Sequence, residues 1–144
     1  MAPDRPQLSV SAVVVAGGRL LLVQRGGAAT GRASGAGRWA VPGGRVEAGE
    51  RLRDAVTREL REETGLRGRC GDLLGWVERL DDDAHHVILS FRVALLDRPD
   101  AAVAGDDAAA VAWVPLAEVA THGLVDGLAD FLAAHGVIAP DGRS

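Results

Sequence analysis

The chain has 144 residues, 47% of them hydrophobic and 25% charged, with a formal net charge of -4. This is the composition of a globular domain large enough to bury a core without staples. It lacks the basic footprint of a nucleic-acid binder, and a single cysteine, Cys70, excludes an internal disulfide or a Cys-x-x-Cys site. No apolar run approaches the ~20 residues of a membrane span and no basic start leads into a signal-like segment, so the expectation is a cytoplasmic protein with no membrane or nucleic-acid partner. All sixteen basic residues are arginine and Lys, Asn and Tyr are absent, which reads as coding bias and carries no function.

Leu8 to Ala16 and Arg19 to Gln24 are β-branched or leucine-rich runs split by Gly17-Gly18, which predicts a hairpin with two central glycines. Gly26 to Gly37 is Gly, Ala, Ser and Thr with little else, too poor in side chains to pack, and is expected to be a mobile loop beside the site. Trp39-Ala40-Val41-Pro42-Gly43-Gly44 is a turn whose two glycines allow a close backbone approach to a ligand. Arg51 to Thr64 suits a helix stopped by Gly65. Leu73 to Leu80 and His86 to Leu96 read as strands joined by Asp81-Asp82-Asp83, and Ala109 to Val114 as a short strand before Pro115. Leu116 to Ala120 and Leu124 to His135 look helical. Strands before and after a helix, with a further helix at the end, give an α/β sandwich with a mixed β-sheet between helices. No repeat or domain boundary interrupts the chain, so residues 1–144 read as one domain with a core at about 8–135.

The chemistry concentrates between Gly44 and Leu66. At about 100 degrees per residue, Leu52, Val56, Glu59 and Glu63 fall on one side of the helix, with Ala55 and Glu62 on a flank, while Arg53, Asp54, Thr57, Arg58 and Arg61 fall opposite. A glutamate-rich helix is ordinarily a solvated face, but Glu59 and Glu63 continue the apolar stripe. Carboxylates crowded there repel each other and resist desolvation unless a cation joins them. All-oxygen ligation favours a hard ion, Mg2+ with Mn2+ as a substitute, over zinc. Glu59, Glu62 and Glu63 are the candidate metal ligands, and Arg58, four residues before Glu62, is placed to hold that carboxylate at its ligating angle.

Written as a pattern, the stretch is G-x5-E-x7-R-E-(apolar)-x-E-E-x-G-(apolar), from Gly44 through Glu50, Arg58, Glu59, Glu62, Glu63 and Gly65 to Leu66. It closely resembles the signature of the Nudix hydrolase family, over about residues 8 to 135. The resemblance implies the same sandwich architecture, hydrolysis of a pyrophosphate bond, a metal contact from the Gly44 carbonyl, and in many members a homodimer. It also implies a phosphate-contacting role for Arg25 at a strand end and a ligand or base role for an acidic residue on the Gly105 to Ala108 loop, here Asp107, where the family more often has Glu. Asp106 reads as a solvated loop residue.

The candidate catalytic residues are therefore Glu62, Glu63, Arg58 and Asp107; Arg25, Trp39 and Gly43 are the candidate substrate contacts. Trp39 could stack on a base, and Trp39, Trp76 and Trp113 read as core or pocket-wall residues. His85, His86, His122 and His135 show no ligand or nucleophile spacing, and Cys70 reads as a bystander. The reading is metal-dependent cleavage of a nucleoside diphosphate linked to another moiety, ADP-ribose or a related nucleotide sugar, since Gly105 to Trp113 and Leu124 to Leu128 resemble the ADP-ribose branch. A housecleaning (d)NTP pyrophosphatase of the 8-oxo-dGTP type and a catalytically silent nucleotide-binding module stand as alternatives.

Overall fold

The computed structural model describes residues 5–26, 37–105 and 108–140. Eight strands, β1 (Gln7–Val13), β2 (Val15–Ala16), β3 (Arg19–Arg25), β4 (Trp39–Ala40), β5 (Gly43–Arg45), β6 (Gly68–Leu80), β7 (His85–Leu95) and β8 (Ala108–Pro115), combine with helices α1 (Leu52–Thr64) and α2 (Leu128–Ala134). Two short 3-10 turns span Pro99–Ala101 and Leu116–Thr121. A mixed sheet has the order β5-β1-β7-β6, with β1 and β7 parallel from Gln7↔His86 to Val13↔Arg92. A second, antiparallel sheet runs β2-β3-β4, with β8 also paired to β3.

The first apolar run divides in a way that composition hides. Residues 10 to 14 are all buried, as expected of a strand covered on both faces. Val10, Ala12 and Val14 enter a core cluster with Ala55, Val56, Leu60 and Leu66 of the helix region. Val13 enters a second cluster with Leu20, Leu22, Val119 and Leu132. The two-residue alternation of a strand sends neighbours to opposite layers. After Val13 the chain leaves the mixed sheet, so the expected single strand Leu8 to Ala16 is two strands in two sheets. The predicted Gly17-Gly18 hairpin joins β2 to β3, and both glycines have positive φ.

Helix α1 starts after Arg51 and stops at Gly65, whose left-handed φ of 72° lets its N–H bond the Arg61 carbonyl. Thr64 is buried, and its hydroxyl is satisfied within the helix end. Its hydroxyl donates to the Leu60 carbonyl at 2.6 Å and accepts the Leu66 N–H at 3.2 Å.

Three expectations need correction. The helix predicted from Leu124 begins only at Leu128: Leu124 instead forms a parallel bridge with Trp39, and Gly127, with φ 83°, turns the chain into α2. Trp76 is not a core residue, being 61% exposed on the edge strand β6. Leu116 to Ala120 forms a 3-10 turn instead of an α-helix. The expected mobile loop and both acidic loop candidates, Asp106 and Asp107, fall at residues 27–36 and 106–107, outside the described residues. No helix among the described residues is long and apolar enough to cross a membrane.

Candidate active site

The site assembles where β5 lies against the inward face of α1. β5 pairs antiparallel with β1, Ser11 opposite Gly43 and Val10 opposite Gly44. A Cβ on Gly43 would collide with the Val10 carbonyl, and one on Gly44 would stand 2.5 Å from the Glu59 carboxyl carbon. Both glycines are needed for this close approach, and they bring bare backbone against the two inward glutamates. The Gly43 N–H donates to Glu63 Oε2 at 2.7 Å. Burial pushes the Glu63 carboxyl up to about 8 against the pull of that N–H. Contact with the Glu59 carboxyl raises it further, and the positive charge of Arg25 acts the other way.

The charge of Arg25 thus reaches Glu63, although 38 positions separate them in the chain. The β3–β8 register shifts between Gln24 and Arg25, a bulge of the kind that re-aims a strand-end side chain. Gly37 N–H donates to the Arg25 carbonyl and the Arg25 N–H to the Arg38 carbonyl, which fixes the start of β4 beside it.

Arg58 joins more partners than the sequence indicated. Its Nη1 donates to Glu62 Oε1 at 3.1 Å, the expected four-residue pair, and also to Glu59 Oε1 at 2.9 Å. Its Nε and Nη2 grip both oxygens of Glu50 at 2.7 and 2.9 Å, and Nη2 further donates to the Arg45 carbonyl. Glu50 was missed as a site residue, although it occupies the isolated Glu position of the Gly44 to Leu66 pattern. Its side chain also receives the Glu47 N–H, and the Arg58 guanidinium holds its carboxyl down at about 2. Arg58 itself is held well above the usual range by the same pair.

The three candidate ligands are not gathered equally. Glu59 and Glu63 touch, whereas Glu62 has a side chain 58% exposed and turns toward Arg58. It lines a groove of about 490 Å³ on the outer side of α1 with Thr57, Arg61 and Arg67. Among the described residues no three His, Cys, Asp or Glu side chains already converge as a metal cage. The Glu59–Glu63 pair still fits a hard divalent cation: the donors are all oxygen, and a cation would offset the burial and the mutual repulsion that drive the Glu63 carboxyl toward its neutral form. Glu62 would have to turn from Arg58 to complete the set.

Trp39 packs edge-on against His122, ring centroids 5.0 Å apart, and borders the second core cluster. Trp113 packs against the first cluster and donates its ring N–H to the Pro99 carbonyl at 2.8 Å. His85 pairs with Glu78 at 2.7 Å, and His135 fills the space left by Gly75.

With this geometry in view, the chain belongs to the Nudix family: residues 5–135 match the NUDIX domain. An ADP-ribose pyrophosphatase of Methanocaldococcus jannaschii is 36% identical over 104 residues, which cover 72% of this chain and 58% of that protein. A second curated relative, from Mycobacterium tuberculosis, is 34% identical over 89 residues, covering 56% of this chain and 34% of its own length. The chain thus spans between a third and three-fifths of these relatives. Among solved structures, a MutT protein from Methanosarcina mazei superposes with a TM-score of 0.78 at 25% identity, covering 94% of this chain and 96% of its own. The Nudix domain of Shewanella oneidensis NrtR, solved with ADP ribose, gives 0.73 at 25% identity, over 92% of this chain and 87% of its own.

Proposed function

We propose that the chain hydrolyses the diphosphate bond of a nucleoside diphosphate linked to another moiety, with ADP-ribose or a related nucleotide sugar as its substrate. The observation that carries this reading is the partly buried Glu63 carboxyl, held by the Gly43 N–H and pressed against Glu59, within reach of the positive charge of Arg25. The similarity to an ADP-ribose pyrophosphatase supports the choice of substrate class.

Glu59 and Glu63, with Glu62 and the Gly44 carbonyl, would hold Mg2+ or Mn2+. A divalent cation bound there supplies neutralisation of the phosphate charge and a lowered pKa for coordinated water. The protein's own residues do the rest. Gly43 fixes the angle of Glu63, and Arg58 orients Glu59 and Glu62 through one shared nitrogen. Arg25 offers a fork of donors to a phosphate oxygen pair, and Trp39 offers a face to the base. Water adds to one phosphorus, the bridging oxygen leaves with the other phosphate, and the water proton passes to a carboxylate of this cluster or to Asp107. Nothing in this reading depends on a partner, although a homodimer is compatible with it. A location in the cytoplasm and one Nudix domain over residues 1–144 complete the proposal.

The test is a panel of ADP-ribose, another nucleotide sugar, and ordinary and oxidised (d)NTPs, with Mg2+, with Mn2+ and with EDTA. ADP-ribose should give AMP and ribose 5-phosphate only with metal. A tenfold or greater preference in kcat/KM for any triphosphate, about 1.4 kcal/mol of transition-state binding, would transfer the assignment to the (d)NTP pyrophosphatases. Nucleotide binding with no turnover of any panel member would make the chain a silent module.

A further inference from the structure

The segment between Gly123 and Gly127 is a turn with a left-handed residue at each end, φ 72° and 83°. It is anchored from both sheets. On the antiparallel side, Trp39 N–H donates to the Gly123 carbonyl at 3.0 Å and Val125 N–H to the Trp39 carbonyl at 2.9 Å. Arg38 Nη1, one residue earlier, donates to the Leu124 carbonyl at 3.1 Å and to Asp126 Oδ1 at 3.0 Å. From the mixed sheet, Arg79 on the edge strand β6 donates Nη2 to the Asp126 carbonyl at 2.5 Å. Between the anchor at Trp39 and the Glu63 contact at Gly43 lie only Ala40, Val41 and Pro42, the stretch by which the chain crosses from β4 in one sheet to β5 in the other.

We propose that Arg38 and Arg79 form a clasp joining the two sheets over the 123–127 turn, and that both are positioning residues for the nucleoside half of the substrate. The inference rests on the function proposed above. The Arg38–Asp126 ion pair is exposed at both ends, so its charge contributes little. What the two guanidiniums supply is direction: planar donors aimed at the Leu124 and Asp126 carbonyls leave the turn one arrangement. That arrangement decides where Trp39 and its edge contact His122 stand. His122 Nε2 is buried with no hydrogen-bond partner among the described residues, so the turn also decides what this nitrogen meets. Among the described residues, Arg38 and Arg79 bond to Leu124 and Asp126 and not to the Glu59–Glu63 pair. Loosening the clasp should therefore weaken binding of the nucleoside and leave the chemical step alone.

The experiment pairs steady-state kinetics on ADP-ribose with amide hydrogen exchange on the ligand-free protein. Arg38→Ala and Arg79→Ala should each raise KM about tenfold with kcat within about twofold, and Arg79→Lys, which can still donate to one carbonyl, should recover part of the loss. Exchange at Trp39 and Val125 should quicken at least about tenfold in the alanine variants while core amides hold. Trp76→Ala, on the same strand but outside the clasp, should change neither reading. Unchanged KM in both alanine variants, or kcat falling as far as KM rises, overturns the proposal. If the unaltered protein turns over no nucleotide, the proposed function fails first, and unchanged Trp39 and Val125 exchange would then overturn the clasp by itself.

Discussion

Arg58 and Glu50 form a two-pronged pair, Nε to Oε2 at 2.7 Å and Nη2 to Oε1 at 2.9 Å, linking the turn before α1 to its middle. The same guanidinium also holds Glu59 and Glu62. Glu50 therefore acts as the anchor from which Arg58 reaches both candidate ligands, and its loss should be felt in the chemistry before it is felt in the fold. Glu50→Gln should lower kcat about tenfold or more at saturating metal. Normal kcat in that variant would show that Arg58 keeps its place without Glu50.

The same pair sets an acid limit. The Glu50 carboxyl falls from 4.5 to about 2 on folding, so its contribution to stability is complete above about 4.5 and disappears as pH drops toward 2. Thermal melts of the native protein and Glu50→Gln should diverge above pH 4.5 and converge below it. Parallel curves from pH 2 to 6 would rule this out.

Glu63 behaves in the opposite sense. Its carboxyl rises from 4.5 to about 8, so without metal the folded state keeps a proton that the unfolded chain releases. Stability should fall as pH rises from 4.5 to 8 and level off above, with an upper bound on the order of 5 kcal/mol. Glu63→Gln should flatten that slope in EDTA and melt higher than the native protein at pH 9. It should also reduce turnover by ~10^3-fold or more with metal present. A slope unchanged by the substitution would place the titrating group elsewhere.

Gly44 leaves no room for a side chain, since a Cβ would stand 2.5 Å from the Glu59 carboxyl. Gly44→Ala must displace Glu59, the flexible neighbour, so the fold should survive while metal-dependent turnover drops by at least about tenfold. Gly43→Ala would meet the Val10 carbonyl, a backbone group that cannot step aside, and should destabilise by about 1–3 kcal/mol. Denaturant melts of both variants distinguish the two modes, and equal destabilisation would contradict the assignment.

Leu60 is fully buried between α1 and the mixed sheet, against Gly68. Leu60→Ala should cost about 3 kcal/mol by opening a cavity, with residual activity per folded molecule preserved, because Leu60 packs toward Gly68 at the start of β6 whereas Glu63 meets Gly43 of β5 at the other edge of the sheet. Loss below 1 kcal/mol in urea unfolding would mean that the site collapses to fill the space.

Much of the site was legible because its logic is local. Helical spacing brings Glu59 and Glu63 to the face that also carries Val56, Gly65 ends the helix, and a glycine pair permits the backbone to come close; each follows from residues within one or two turns. The pairing of Arg58 with Glu62 is equally local. By itself, then, the sequence determined the helix, its cap, the glutamate cluster and the chemistry such a cluster suits. Tertiary structure decided the rest, since contacts between distant residues leave no periodic trace. The parallel pairing of β1 with β7 joins segments some 79 positions apart and splits the Leu8 to Ala16 run between sheets. Leu124 satisfies its backbone at Trp39 instead of continuing a helix. Glu62 and Glu63, adjacent in the chain, face different surroundings because packing half-buries one beside Gly43 and leaves the other in water with Arg58. Propensity and spacing are read within a window of residues, whereas burial is settled by what the completed fold lays over each side chain.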